Sequence, residues 1–270
     1  PATVALWMAE PEFLDDAEVL ERARERGVRI LCTEPWPLSI ETARAWAEAP
    51  PSAVPAFVPE FRATRACADL MDAVSDLGAV RSVVVTGRSA RGDGSLAARL
   101  FDAMTLVHGL LGLAETIDAA HVPAVAGTVG GAVGAAAPEA MRNFHGDLTA
   151  NVRYSARRCA AVAVSNTAGP WFRGVTVIAE RGSVRATEQG MERFDPSGAM
   201  LDSSGPRVVE RDAGLAAVAR AVERALDPRI PAPPRSDAAE VLAMCHAALL
   251  SARTSQAEPP ATLLRMATGA

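Results

Sequence analysis

The chain contains no lysine: all 27 of its basic residues are arginine. That absence excludes Schiff-base chemistry, a phosphate-loop lysine and a lysine general acid, because arginine holds its proton too tightly to pass it on. Cysteine is confined to Cys32, Cys67, Cys159 and Cys245, with no CxxC spacing, and His246 beside Cys245 is too near in sequence to chelate with it on a helix. A zinc site is therefore not expected, and four reduced, mostly buried thiols are. No apolar run approaches the length of a membrane span, and no charged-then-apolar leader opens the chain. Positive charge is also in deficit: 32 acidic against 27 basic residues give a net charge of -5. Such a chain has no general attraction to nucleic acid or to an anionic membrane. What is present, 49% hydrophobic residues in 270, suffices for one or two ordinary cores. The expectation is a cytoplasmic protein whose partners are small molecules or other proteins.

The first 60 residues alternate between short apolar runs and helical spacing. Val4 to Ala9 and Val28 to Cys32 read as strands buried on both faces, and Ala53 to Phe57 as a third. Between them, Phe13 to Arg26 has helical periodicity closed by Gly27, and Ser39 with Thr42 opens a helix running to about Ala49. Strand, helix, strand, helix, strand implies a parallel sheet with right-handed crossovers. After Phe61 the pattern changes to mixed α and β. A helix runs through about Ser75, Ala79 to Thr86 is a valine-rich strand, and Ser95 to Leu111 is a helix apolar almost all round, ended by Gly112. Thr116 to His121 reads as the next strand. The glycines between Ala124 and Ala137 do not have dinucleotide-fingerprint spacing and read as a small-residue loop. Period-two alternation then marks Leu148 to Tyr154, Ala160 to Val164 and Val175 to Ile178, with a tight turn at Glu180 to Ser183 before Val184 to Thr187. Helices over about Ala213 to Ala225 and Asp237 to Ala252 close the chain. The fold class expected is α/β: part of a parallel sheet, followed by an α+β unit with a large, mostly antiparallel sheet.

The segment Gly27-Val-Arg-Ile-Leu-Cys-Thr-Glu-Pro35, followed by Leu38-Ser-Ile-Glu-Thr-Ala43, resembles the glucose-fructose oxidoreductase and inositol dehydrogenase (Gfo/Idh/MocA) family. Pro59-Glu-Phe-Arg62, the helix ending Leu110-Leu-Gly112, the Val175 to Val184 hairpin and the closing Ala247 to Thr254 resemble that family's second domain. The resemblance implies residues 1–61 as a partial dinucleotide-binding domain beginning at its fourth strand, and 62–270 as a substrate and oligomerisation domain. It also implies hydride transfer between NAD(P) and a sugar-like alcohol, with Ala9 and Pro11 nearest any surviving dinucleotide site. The chain departs from the family at each chemical step. The family's Glu-Lys-Pro falls on Thr33-Glu34-Pro35, so a cationic donor becomes a carboxylate. Its later aspartate and histidine fall on Ala98 and Asp102, and an arginine before the equivalent of Pro59 falls on Ala56.

The strand end carrying Glu34 and the buried helix carrying Asp102 would face one cleft, where ligands bind in such sheets. Two carboxylates close together in an apolar setting divide into a general acid and a base. Catalysis by Glu34 and Asp102 without a cofactor or metal, as isomerisation, elimination or cyclisation of a small organic molecule, is the reading this favours. Against it stands a structural one, in which Glu34 caps a loop and Asp102 pairs with Arg99 on its own helix. Trp36, Phe57, His108, Trp171 and Arg173 are candidate substrate-binding residues. Two alternatives stay open: an NAD(P)-dependent oxidoreductase of a sugar-like substrate whose cofactor half lies outside these residues, and a non-catalytic partner of an active homologue. The apolar edge Val4 to Ala9 and the open second sheet are candidate interfaces with another copy of this chain or a related full-length subunit.

Overall fold

The computed structural model describes residues 6–9, 17–35, 39–47, 55–58, 61–90, 93–124, 144–205, 218–219, 222–223, 227 and 237–267. Strand β1 (Leu6–Ala9), helix α1 (Ala17–Glu25), β2 (Arg29–Cys32), α2 (Ile40–Ala47) and β3 (Ala56–Phe57) build a three-stranded parallel sheet in the order β1-β2-β3. Ala9 pairs with Cys32, and Cys32 with Phe57, so the three carboxyl ends lie level. Gly27, at φ +67, turns the chain from α1 into β2 in a conformation that costs other residues strain.

A short 3₁₀ turn (Phe61–Ala63) leads into α3 (Arg65–Ser75), whose cap Thr64 accepts from the Cys67 N–H. Next come β4 (Val80–Arg88), α4 (Leu96–Leu111), and strands β5 (Thr116–Pro123), β6 (Gly146–Arg153), β7 (Cys159–Ser165), β8 (Phe172–Ala179), β9 (Gly182–Thr187), β10 (Gly190–Phe194) and β11 (Met200–Ser204). These strands form an eight-stranded sheet ordered β11-β10-β9-β8-β4-β7-β6-β5, antiparallel except where β4 meets β7. Helices α5 (Ala238–Thr254) and α6 (Pro260–Met266) complete the described residues. The fold is thus the one expected, a small parallel sheet followed by a large, mostly antiparallel one. Part of the loop expected at Ala124 to Ala137 and most of the helix expected at Ala213 to Ala225 lie outside the described residues.

Alternation decides which sheet face is covered. Leu148, Ala150 and Val152 of β6 are buried while Asp147, Thr149, Asn151 and Arg153 between them are exposed. Val83, Val85, Val162, Val164, Val175, Val177 and Val184 extend the buried face, and α3, α4 and α5 pack on it to close the main core. Ile40 and Ala43 of α2 enter a second cluster with Ala239, Leu242 and Ala243 of α5, which docks the small sheet's helix onto the larger unit. Strands β10 and β11 carry almost no period-two apolar signal, since β11 is exposed at four of its five residues. Backbone pairing to the neighbouring strand holds them, which explains why hydrophobic spacing does not reveal them. Helix α6 is only seven residues long and opens on Pro260, equally invisible to periodicity.

Cys32, Cys67 and Cys245 are buried and Cys159 is exposed. Burial pushes the Cys67 thiol up to about 12 and raises that of Cys245 as well. Ellman's reagent is expected to modify Cys159 alone in the native protein and all four thiols after denaturation. Rapid native labelling of Cys67 or Cys245, mapped by peptide mass, would contradict this packing.

Candidate functional site

Helix α4 is apolar at nearly every position except Arg99 and Asp102, three residues apart and both buried. Burying a charge is tolerable only where it is paired or hydrogen-bonded, so the surroundings of these two residues define the site. Asp102 accepts from the Phe61 backbone N–H at 2.8 Å and pairs with Arg173 Nη1 at 2.9 Å. Arg173 projects from the start of β8 and is 3% exposed. Its Nε pairs with Glu188, just past β9, and the same carboxylate oxygen accepts from Trp171 Nε1 at 3.1 Å. Burial opposes the charge on Arg173, but Asp102 and Glu188 outweigh it and hold the guanidinium more firmly protonated than usual. One arginine is therefore clamped between two carboxylates.

Glu34 follows β2 and is 7% exposed. It accepts from the Ser95 backbone N–H at 2.7 Å and also from the Ser95 hydroxyl. Ser95 is in turn the cap of α4, accepting from the Ala98 N–H at 3.0 Å. A carboxylate at the carboxyl end of the small parallel sheet thus sits at the amino end of the helix that backs the large one, where the helix dipole favours negative charge. Leu96 N–H donates to the Phe144 carbonyl at the same helix end. Nearby, Asn166 accepts from the Gly146 N–H and donates to the Gly94 carbonyl, which fixes its amide orientation. Its second amide proton is then left to donate to His145 Nδ1 at 2.8 Å, leaving that imidazole to carry its proton on Nε2.

Arg99 completes the cluster. It is 3% exposed, and its guanidinium carbon lies 4.1 Å from the centre of the Trp171 ring, which Arg173 also approaches at 5.0 Å. Burial pushes its pKa down to about 10, still high enough to keep it charged at neutral pH. Gly94, at φ +115, packs closely against both Arg99 and Glu34: a Cβ there would stand 3.3 Å from Arg99 Nη2 and 3.6 Å from Glu34 Oε1. A cavity of about 10 Å³, large enough for about one water, is bounded by Gly87, Arg99, Asp102 and Arg173. A larger groove of about 630 Å³ lies along the sheet, lined by Phe172, Thr176, Arg185 and Gln189 among others. The buried ionic groups converge instead at the junction of the two sheets, where the parallel strands end, and that junction is the candidate site.

The residues singled out from sequence divide accordingly. Glu34, Asp102, Trp171 and Arg173 are brought to the junction, but the two carboxylates are held by separate donors rather than by each other. The structural alternative is half realised: Glu34 does serve a neighbouring segment, whereas Asp102 pairs with Arg173 from β8 and not with Arg99. Phe57, at the end of β3, stacks edge-on against Phe101 of α4 with ring centres 5.4 Å apart. His108 lies further along α4 and pairs with Glu240 of α5 at 2.6 Å, tying two helices rather than joining the ionic cluster. Ala9 ends β1, while Trp36 and Pro11 lie outside the described residues. Asn166, His145, Glu188, the hold of Ser95 on Glu34 and the independent role of Arg99 escaped the sequence reading. Arg99 carried a signal, a second charge beside Asp102 in a largely apolar helix.

No family model matches the sequence, and no curated protein matches it significantly. Among solved structures 215 chains match. Levoglucosan dehydrogenase, in complex with NADH and levoglucosan, shares 13% identity at a TM-score of 0.68, over 93% of this chain and 78% of that one. An oxidoreductase from Agrobacterium radiobacter, in complex with NAD+, L-tartaric acid and magnesium, shares 14% identity at a TM-score of 0.64, over 91% and 77%. A myo-inositol dehydrogenase from Corynebacterium glutamicum shares 14% identity at 0.62, over 94% and 79%. The likeness is one of fold, and the fold is that of Gfo/Idh/MocA-type oxidoreductases. The expectation of a cofactor-free site is corrected by these neighbours, two of which hold NAD+ or NADH. The missing lysine and glycine turn pointed to loss of the cofactor, yet the architecture shared with nucleotide-bound enzymes persists.

Asp102→Asn should leave Arg173 short of one buried counter-charge and destabilise the protein by about 3–5 kcal/mol, the range for breaking a buried pair. Urea unfolding monitored by circular dichroism measures this. A loss under about 1 kcal/mol would show that the pair does not hold the junction.

Proposed function

We propose that the chain is an NAD(P)-dependent oxidoreductase acting on a small polyhydroxylated substrate. The observation that carries the reading is the placement of Glu34. It stands just beyond the carboxyl end of β2 in a parallel sheet, facing α4 across the junction, in a fold whose solved neighbours hold NAD+ or NADH. The two ligands named in those neighbours, L-tartaric acid and levoglucosan, are both small and rich in hydroxyl groups.

The fit to a dinucleotide is partial in these residues. The level carboxyl ends of β1, β2 and β3 offer the edge on which ligands of parallel sheets lie. A glycine-rich turn running from a buried strand into a helix, which would take the pyrophosphate, is not found in the sequence. When bound, the cofactor supplies the hydride acceptor or donor. The chain's own part is to bind the substrate beside Glu34, whose carboxylate takes the proton of the reacting hydroxyl. Ser95 holds that carboxylate in place through two hydrogen bonds. Trp171 supplies a flat apolar wall backed by two guanidinium groups. Residues 1–61 and 62–270 act in this reading as cofactor-side and substrate-side units. Copies associate through the open sheet face, which exposes Val84 and Ile178.

The first measurement is a calorimetric titration with NADH and NADPH of protein expressed from the whole reading frame. Binding tighter than about 100 μM, near -5.5 kcal/mol, is expected, together with reduction of NAD(P)+ by a panel of polyols and hydroxy acids. Glu34→Gln should lower kcat by about 10²–10⁴-fold, the usual contribution of a positioned acid–base group. A folded protein that binds neither nucleotide would overturn the proposal.

A further inference from the structure

Arg99 presents an imbalance that the rest of the cluster does not resolve. Its residue is 3% exposed, and no acceptor among the described residues reaches its Nε or Nη1. Asp102, Glu34 and Asp93 favour its charge from nearby, but the hydrogen bonds of Asp102 go to Arg173 and the Phe61 N–H and those of Glu34 to Ser95. Leaving a desolvated cation without a hydrogen-bond acceptor is costly, and proteins tolerate it chiefly where a ligand or solvent completes the site. The rest of the side chain is ordered for that task. Its planar face is occupied by Trp171, so its donors lie around the edge, the geometry with which guanidinium groups grip carboxylates. Gly94 packs close on the Nη2 side, where a Cβ would stand 3.3 Å from that nitrogen, so the donors left over are Nε and Nη1.

We propose that Arg99 is the anion-recognition group of this site and that the substrate carries a carboxylate next to its hydroxyl groups. The assignment rests on the reading of the junction as a substrate site, and it narrows the class from neutral sugars to hydroxy acids or sugar acids. The carboxylate is held at Arg99 Nε and Nη1 while the reacting hydroxyl faces Glu34. Arg173 cannot take the same role, because Asp102 and Glu188 already bracket it.

The test uses malonate as a probe carboxylate, erythritol as a neutral polyol and NADH as a phosphate-bearing ligand. Each is added to the wild type, Arg99→Met and Arg99→Gln, against sodium chloride at equal ionic strength. Malonate is expected to raise the Tm of the wild type and to bind at least about tenfold more weakly to either variant. Without malonate, Arg99→Met should melt at the same temperature as the wild type or higher, because it removes a desolvated guanidinium with two donors lacking an acceptor. A purely structural arginine would give the opposite pattern, a lower Tm in Arg99→Met with no effect of malonate on the wild type, and that result overturns the assignment. An equal malonate shift in wild type and variants also overturns it. So does an NADH shift that depends on Arg99 while malonate does nothing, which would make the group a reader of dinucleotide phosphate. Failure of the oxidoreductase reading looks different: malonate still binds through Arg99, but NADH and NADPH do not bind and no alcohol is oxidised.

Discussion

The junction between the two sheets depends on neutralising charges that the fold has removed from water. Asp102, Glu188 and Arg173 are almost fully buried, and each would be prohibitive alone. Their mutual pairing ties α4 to β8 and to the segment after β9, and the second oxygen of Asp102 carries the connection to the Phe61 backbone, where the chain leaves the small sheet. The path of the chain from one unit to the other, the seat of α4 and the position of Trp171 all follow from satisfying these few groups.

A second restraint works in the same direction. Glu34 offers its carboxylate to the capping residue of α4, so the carboxyl end of β2 and the amino end of α4 are held together by charge-assisted hydrogen bonds. Apolar contacts between α2 and α5, and between Phe57 and Phe101, fill the remaining seam. Polar and apolar restraints therefore divide the labour, the apolar ones holding the units together and the polar ones setting their register at the cleft. Arg99 is the member of this set whose hydrogen-bond donors are not all satisfied within it.

Most strands and helices were legible because their cores impose periodicity: Val4 to Ala9 and Val28 to Cys32 as unbroken apolar runs, β6 to β9 as alternation, α4 as a long apolar helix from Ser95 ended by Gly112. β10, β11 and α6 were not, because they bury too few side chains to make a period: Met191 in β10, Pro260 and Leu264 in α6, and none in β11. The site was legible by half. Glu34 and Asp102 stood out as carboxylates at positions where the resemblance placed a lysine and a histidine, but their expected partnership with each other was replaced by separate ones. Arg173 and Trp171 were named for a pocket and found in a clamp. Glu188, Asn166 and His145 offered no local pattern at all.

By itself the sequence determined which segments bury one face and which bury two, and that none of these 270 residues could serve as a lysine acid or nucleophile. These properties follow from side-chain chemistry and from the periods of helix and strand, which are local. Tertiary structure alone decided which charge meets which: Asp102 with an arginine 71 residues away instead of one three residues away, and Glu34 with a helix cap 61 residues on. Ionic partners are chosen by where the backbone brings them within hydrogen-bond reach after desolvation, a condition that spacing along the chain does not encode.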